Sequence, residues 1–218
     1  GLIAYTVTRH GLAVLLPLGK LILTAFIATL IFVCITYLPI IKLIGMKISD
    51  YLKGAFEPWL IAFTTCSSAA ALAVNLEASR KMGASKAIAS FAIPLGNTIN
   101  MNGTSIYMGV TAVFAAEVFG IDLTLAQQFQ IVLMGVLAAV GTAGVPGAGL
   151  IMTTLVFTEV GIPLEAVALI AGIDRILDMI RTSVNVLGDS LTALVVSKSE
   201  GVLGTELMDQ DTVVKEQL

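Results

Sequence analysis

Charge is scarce in this 218-residue chain: Asp, Glu, Lys and Arg make up 12% of it, against about 25% in soluble domains. That scarcity, with 57% hydrophobic residues, excludes an ordinary water-soluble domain and points to an integral membrane protein. The formal net charge of −3 leaves no basic surface for a nucleic-acid partner. Cysteine and histidine are nearly absent. Cys34 and Cys66 both lie in apolar stretches, and the single histidine, His10, is near one end. No disulfide framework and no His/Cys metal cluster fits those positions. No G-x-S-x-G nucleophile elbow occurs. Nothing at the start combines a basic end, a short apolar core and a cleavage site. The chain opens on Gly1 with an already apolar GLIAY, which reads as a piece of a longer protein.

What the chain does have is long apolar runs. Residues 21–41, between Lys20 and Lys42, are uncharged and long enough for one span of about 30 Å. A second apolar run carries charges in register. At about 100° per residue, Asp174, Asp178, Arg181, Asn185 and Asp189 fall within an arc of roughly 80° on one helix. Each ionised group at the centre of a spanning helix costs about 2.5–3.5 kcal/mol, so this stripe must face protein, water or a ligand. It reads as an ion-pair network between helices or as a buried pathway for a charged solute.

The remaining charges are sorted by sign. Lys42, Lys47 and Lys53 follow the first span, Arg80, Lys81 and Lys86 precede an uncharged run over 87–116, and Lys198 follows the striped helix. Glu117, Asp122, Glu159 and Glu165 occupy ends without Lys or Arg. The positive-inside rule makes the basic clusters cytoplasmic. Segments 54–79 and 123–158 then leave and return on one side. The first is too short for two crossings and centres on TTCSSAAA; the second centres on GTAGVPGAG, which no continuous helix should survive. Both read as re-entrant hairpins, whose unwound tips are tolerated at membrane depth only where buried in protein or lining a cavity. Each is followed by a span with polar residues, Ser67 preceding Asn100 and Gly144 preceding Arg181 by similar intervals. The expected fold is therefore all-α: transmembrane helices with two re-entrant helical hairpins in an inverted repeat, an arrangement that sets a solute site at the repeat interface.

Residues 94–104, PLGNTINMNGT, carry Pro94, Gly96 and Gly103, which weaken a helix, and Asn97, Thr98, Asn100, Asn102 and Thr104, which supply oxygen. Hard cations take such oxygens from an unwound helix. Helix–helix hydrogen bonding by small polar residues, worth about 0.6 kcal/mol each, is the other reading.

NMNGT at 100–104, GTAGVPGAG at 141–149 and DMIRTSVNVLGD at 178–189 resemble the motifs of the glutamate transporter family, the sodium:dicarboxylate symporters that include the excitatory amino-acid transporters. TTCSSAAA is a looser fourth match. The resemblance implies a tail of a preceding span (1–11), a span (12–46), hairpin one (47–83), a discontinuous span (84–120), hairpin two (121–160), a striped span (161–198) and a flexible cytoplasmic tail (199–218). It also implies a sodium-coupled, elevator-type symporter of an acidic amino acid in the plasma (inner) membrane, homotrimeric when full length, with its scaffold spans missing from this piece.

Carried over by resemblance, Arg181 binds the side-chain carboxylate of the substrate, Asp178 its ammonium, and Thr182 and Asn185 its amino and α-carboxylate groups, with Thr104 nearby. Cys66, Ser68, Val145 and Gly149 close the tips through backbone groups. Sodium is implied at Gly96, Asn100 and Asn185 carbonyls with the Asp189 carboxylate, and at carbonyls of Thr98, Ala139, Val140 and Thr142. Asn102 stands where the family usually has a sodium-ligating Asp, and Ala73 where a proline is common. Met101 resembles a family methionine near the ions, with packing as its other reading. A channel, an intramembrane aspartyl protease using Asp174 and Asp178, and a non-transporting fragment are the rival readings. Trp59 and Tyr51, near Lys53, are expected as interfacial anchors, and Glu206, Asp209, Asp211 and Glu216 as a solvated end.

Overall fold

The structure, a computed structural model, describes Thr8 and residues 15–205. His10 and the acidic positions Glu206, Asp209, Asp211 and Glu216 lie outside the described residues. Among the described residues every regular element is helical, in agreement with the all-α expectation.

Helix α1 runs Leu15–Leu43 and is the one described helix long and apolar enough to cross a membrane. Its middle, Val33–Tyr37, is wound as a π turn. Short α2 (Ile48–Gly54) leads into α3 (Phe56–Thr65) and α4 (Ser68–Lys81), which pack on each other. Helices α5 (Lys86–Ile99) and α6 (Asn102–Val118) follow one another across a break. A second packed pair comes next, α7 (Leu125–Val140) and α8 (Ala148–Val160). Short α9 (Glu165–Ala171) precedes α10, Asp174–Ser199. The first packed pair is thus followed by the broken α5–α6 and the second by α9 and the long α10.

Local chemistry fixes the starts of these helices. Ser67 accepts from Ala70 N–H and Ser85 from Ile88 N–H. Thr124 and Gln127 form a reciprocal capping box at α7, each cap satisfying donors that a helix start leaves free.

Helix α10 is the hub: α3, α4, α5 and α6 all pack on it. Two apolar clusters flank its polar middle. One gathers Leu21, Met108, Ile131, Phe157 and Ile170 around its first turns. The other gathers Ile41, Tyr51, Ile93 and Leu194 around its last turns. The polar stripe lies between them, sealed from both ends.

One expectation changes. Tyr51 is no interfacial anchor: it is 1% exposed, donates to Leu187 O at 2.6 Å and sits 3.0 Å from Ser190 Oγ. Short α2 turns Tyr51 onto α10 while leaving nearby Lys53 exposed. Trp59 is half-buried, stacked with Phe56 and Phe63. The weak segment 94–104 does contain a helix break. Its break falls at Asn100–Met101, with Pro94 and Gly96 both inside α5. Proline removes one helical hydrogen bond and crowds the carbonyl four residues back, yet α5 continues through Pro94 to Ile99.

Candidate functional site

The centre of the molecule is a buried ion-pair cluster on α10. Arg181 is 4% exposed. Its Nη2 lies 3.0 Å from Asp178 Oδ2 and its Nη1 3.7 Å from Asp174 Oδ1. The guanidinium sits over the Tyr107 ring, 4.5 Å from its centroid, and Tyr107 OH donates to Asp174 Oδ1 at 2.8 Å. Tyr107, on α6, thus holds the cation by its face and the anion by its hydroxyl. Arg181 Nη1 still has no hydrogen-bond partner. A buried guanidinium donor left open in this way is costly, and the cost is removed by an anionic acceptor.

The turns of the two helix pairs close over this cluster. Cys66 ends α3 in the left-handed conformation, φ 56°, which steers the chain into Ser67. Ser67 Oγ donates to Gly144 O at 2.9 Å and Ala69 N–H to the same oxygen at 3.2 Å, so the two turns touch through one carbonyl. Gly147 N–H, at the start of α8, donates to Asp178 Oδ2 at 2.9 Å, where the positive end of a helix favours an anion. Thr182 Oγ1 donates to Asp178 Oδ1 at 2.6 Å. Gly149 faces the guanidinium so closely that a Cβ there would overlap it, 2.5 Å from Cζ. Ser68, Thr104, Val145, Gly149, Asp178, Arg181, Thr182 and Asn185, with Met101 and Thr142, line one small cavity. It is about 10 Å³ in size, near the minimum that holds one water. Cys66 is buried beside α10, its Sγ 3.8 Å from Arg175 O. Ser68 Oγ and Asn97 Oδ1 are buried without partners.

A second polar group lies further along α10, beside the α5–α6 break. Asn100 Nδ2 donates to Asp189 Oδ1 at 2.8 Å and to Asn185 O at 3.3 Å. Asp189 is 1% exposed, and among the described residues no basic side chain pairs with it. Gly96 passes directly against this carboxylate; a Cβ there would stand 2.5 Å from Oδ1. Asn185 Oδ1 accepts from Gly103 N–H at 2.7 Å, and its Nδ2 points to Thr104 Oγ1 and Met101 Sδ, both 3.1 Å away. Asn102 Nδ2 donates to Asn100 Oδ1 at 2.6 Å and to Tyr37 OH at 3.1 Å. Tyr37 itself donates to Val184 O at 3.2 Å. A buried carboxylate without a basic partner, with the Asn100 side chain and through it the Asn185 carbonyl beside it, has the oxygen donor chemistry that a hard monovalent cation takes.

The remaining candidate cation ligands are less gathered. Thr98 is exposed on the last turn of α5, Val140 is exposed, and Ala139 and Thr142 are buried at the end of α7. Helices α5 and α7 do touch, which brings the two sets to one side of the molecule. Tyr37 and Tyr107 are site residues that the sequence reading missed. Their only signal was a phenol inside an apolar stretch, whose hydroxyl needs a partner when buried but does not say which.

A profile of the "Sodium:dicarboxylate symporter family" matches residues 1–199. The chain is 38% identical over 205 residues to a proton/sodium-glutamate symport protein of Geobacillus stearothermophilus, covering 94% of this chain and 49% of that one. It is 38% identical over 199 residues to the proton/glutamate-aspartate symporter of Escherichia coli, covering 91% and 46%. It is also 38% identical over 202 residues to a C4-dicarboxylate transport protein of Bacillus subtilis, covering 92% and 48%. The chain spans about half the length of the curated relatives it matches. These relatives are transporters, not enzymes, and the chain belongs to the sodium:dicarboxylate symporter family.

Proposed function

We propose that the full-length protein carries out sodium-coupled symport of an acidic amino acid, aspartate or glutamate, across the plasma (inner) membrane. The observation that carries this reading is the buried Arg181 guanidinium with its open Nη1, beside the Asp178 carboxylate at 3.0 Å. One cationic and one anionic group in a sealed pocket complement a ligand that has a side-chain carboxylate and an ammonium. Arg181 takes the carboxylate as a planar fork, and Asp178 exchanges Arg181 and Gly147 for the ammonium. Thr182, Asn185 and Thr104 contact the α-amino acid end, and backbone groups of Cys66, Ser68, Val145 and Gly149 complete the enclosure.

Formal charge supports coupling to cations. Asp174, Asp178 and Asp189 are buried with one buried arginine among them, and an acidic amino acid adds a further negative charge. Burying that excess without countercharge is prohibitive. Sodium is therefore cargo, held by Gly96, Asn100 and Asn185 carbonyls with Asp189, and by carbonyls of Thr98, Ala139, Val140 and Thr142. The helix pairs α3–α4 and α7–α8 are re-entrant hairpins of an inverted repeat, with hairpin one over 47–83, hairpin two over 121–160, and spans over 12–46, 84–120 and 161–198. They move with α10 as an elevator-type transport domain of a homotrimer, with the basic clusters and the C-terminus cytoplasmic.

A C4-dicarboxylate is the second reading, since one relative carries that name. It would set a carboxylate against Asp178, losing a charged hydrogen bond worth about 1.5–3 kcal/mol. Titration calorimetry of the full-length protein tests both readings. Aspartate is expected to bind in sodium and not in its absence, with succinate at least about tenfold weaker. Succinate binding as tightly as aspartate would overturn the amino-acid assignment.

Asn102 makes a separate test. Its amide donates to Asn100 Oδ1 and Tyr37 OH, so an internal hydrogen bond occupies the place of an acidic ligand. Asn102→Asp removes those donors and faces a carboxylate with Asn100 Oδ1, a clash that a cation relieves. Aspartate affinity is expected to depend more steeply on sodium in Asn102→Asp. An unchanged slope counts against a weakened site at Asn102.

A further inference from the structure

The pocket has one lining segment that is held by a residue outside it. Arg175 lies on the first turn of α10, exposed, and its guanidinium reaches across to the end of α3. Nη2 donates to Thr64 O at 2.7 Å and Nη1 to Thr65 O at 3.3 Å. Both carbonyls belong to the last turn of α3 (Phe56–Thr65), where backbone oxygens lack helical partners and the helix end is negative. The next residue is Cys66, with its positive φ of 56°. For a non-glycine residue this conformation persists only where its surroundings hold it. Its side chain is buried, with Sγ pointing back to Arg175 O at 3.8 Å. One residue of α10 thus grips the α3–α4 turn twice, by its side chain and by its carbonyl.

Among the described residues the α7–α8 turn has no basic side chain gripping its carbonyls; the charged group that holds it is the Asp178 carboxylate. The turn is tied by backbone groups, Gly147 N–H to Asp178 and Gly144 O to Ser67 and Ala69. An entering ligand that takes over Asp178 removes the first of these ties. The second is made to the turn that Arg175 holds.

We propose that Arg175 is a positioning residue that latches the Thr64–Ser67 turn to α10. Arg175 touches no ligand. It acts by holding the carbonyl end of α3, so that Cys66 stays buried and Ser67 stays in reach of Gly144. The proposal adds to the symport reading and rests on it only for its consequence in ligand affinity.

The natural thiol of Cys66 gives a readout independent of any substrate. In the full-length protein with Cys34→Ser, a hydrophilic maleimide is applied in detergent solution. Labelling is quantified by peptide mass spectrometry at Cys66 and at an added core thiol, Ala193→Cys. Arg175→Ala is expected to label Cys66 roughly tenfold faster, as local opening of the turn becomes easier, with the core thiol unchanged. Arg175→Lys, which offers an ammonium to one carbonyl at a time, is expected to restore part of the protection. If Arg175→Ala is not recovered folded, Arg175→Gln takes its place with the same expectation. Unchanged Cys66 labelling overturns the latch, as does equal acceleration at both thiols, which reports general loosening. Aspartate titrated into the same samples separates the two ideas. Faster Cys66 labelling in a protein that never binds aspartate leaves the latch standing and removes the substrate assignment.

Discussion

Arg181→Cys is expected to cost the full-length protein at least about a hundredfold in aspartate affinity, the equivalent of two charged hydrogen bonds at about 1.5–3 kcal/mol each. The guanidinium is the one cationic group in the cavity, so nothing else there can replace it for a carboxylate. The same variant leaves Asp174 and Asp178 buried against each other without their shared cation. Breaking a buried pair in this way costs about 3–5 kcal/mol of stability, so the substitution acts on folding as well as on binding. Arg181→Cys with Asp174→Asn separates the two effects: it removes one negative charge while Tyr107 OH keeps an acceptor. The double variant is expected to recover thermal stability and not aspartate affinity. Without its cation the pocket should also accept a small neutral amino acid such as serine. Calorimetric titration with aspartate and serine gives the answer; aspartate affinity within a few-fold of the parent would remove Arg181 from the site.

Gly149→Ala is the second large effect, and a single methyl produces it. The added carbon would overlap Nη1 and stand 2.5 Å from Cζ and 3.0 Å from Nη2 of Arg181. The guanidinium cannot retreat, because Tyr107 lies on it at 4.5 Å. Overpacking of this kind costs about 1–3 kcal/mol, or roughly five- to 150-fold in affinity if it falls on the bound state. Alanine near the start of α8 is favoured over glycine in a helix by about 1 kcal/mol, which offsets only part of a cost that the ligand-free fold already bears. The expected pattern is weakened aspartate binding with an unfolding midpoint lowered by a few degrees at most. Unchanged affinity would mean that the guanidinium does not sit against the α8 turn when ligand binds.

The contrast between these residues shows what a sequence discloses. The stripe from Asp174 to Asp189 is legible because charge is rare in this chain and the 3.6-residue period leaves it one face. The interruptions near Ser67 and Gly144 are legible because small, polar and Gly/Pro-rich runs stand out between apolar ones. Tyr51 misled, since its neighbour Lys53 says nothing about which side of a short helix meets the core. Tyr37 and Tyr107 were silent for a different reason. Their bonds span 147 and 67 positions along the chain, and no local pattern encodes a contact at that range. Within the weak segment 94–104 the exact break, Asn100–Met101, was not legible, because Pro94 and Gly96 weaken α5 without ending it.

Tyr37 reaches Asn102 from the end of the π turn in α1. Such a turn amounts to one surplus residue in an otherwise regular helix, so α1 works as a phase shifter. The residues before Val33 are set for one neighbour, and those after Tyr37 are rotated by about 100° to suit another. Excising a single residue between them would leave a longer-lived, more regular rod whose phenol points elsewhere, and Val184 and Asn102 would lose the hydroxyl that joins them.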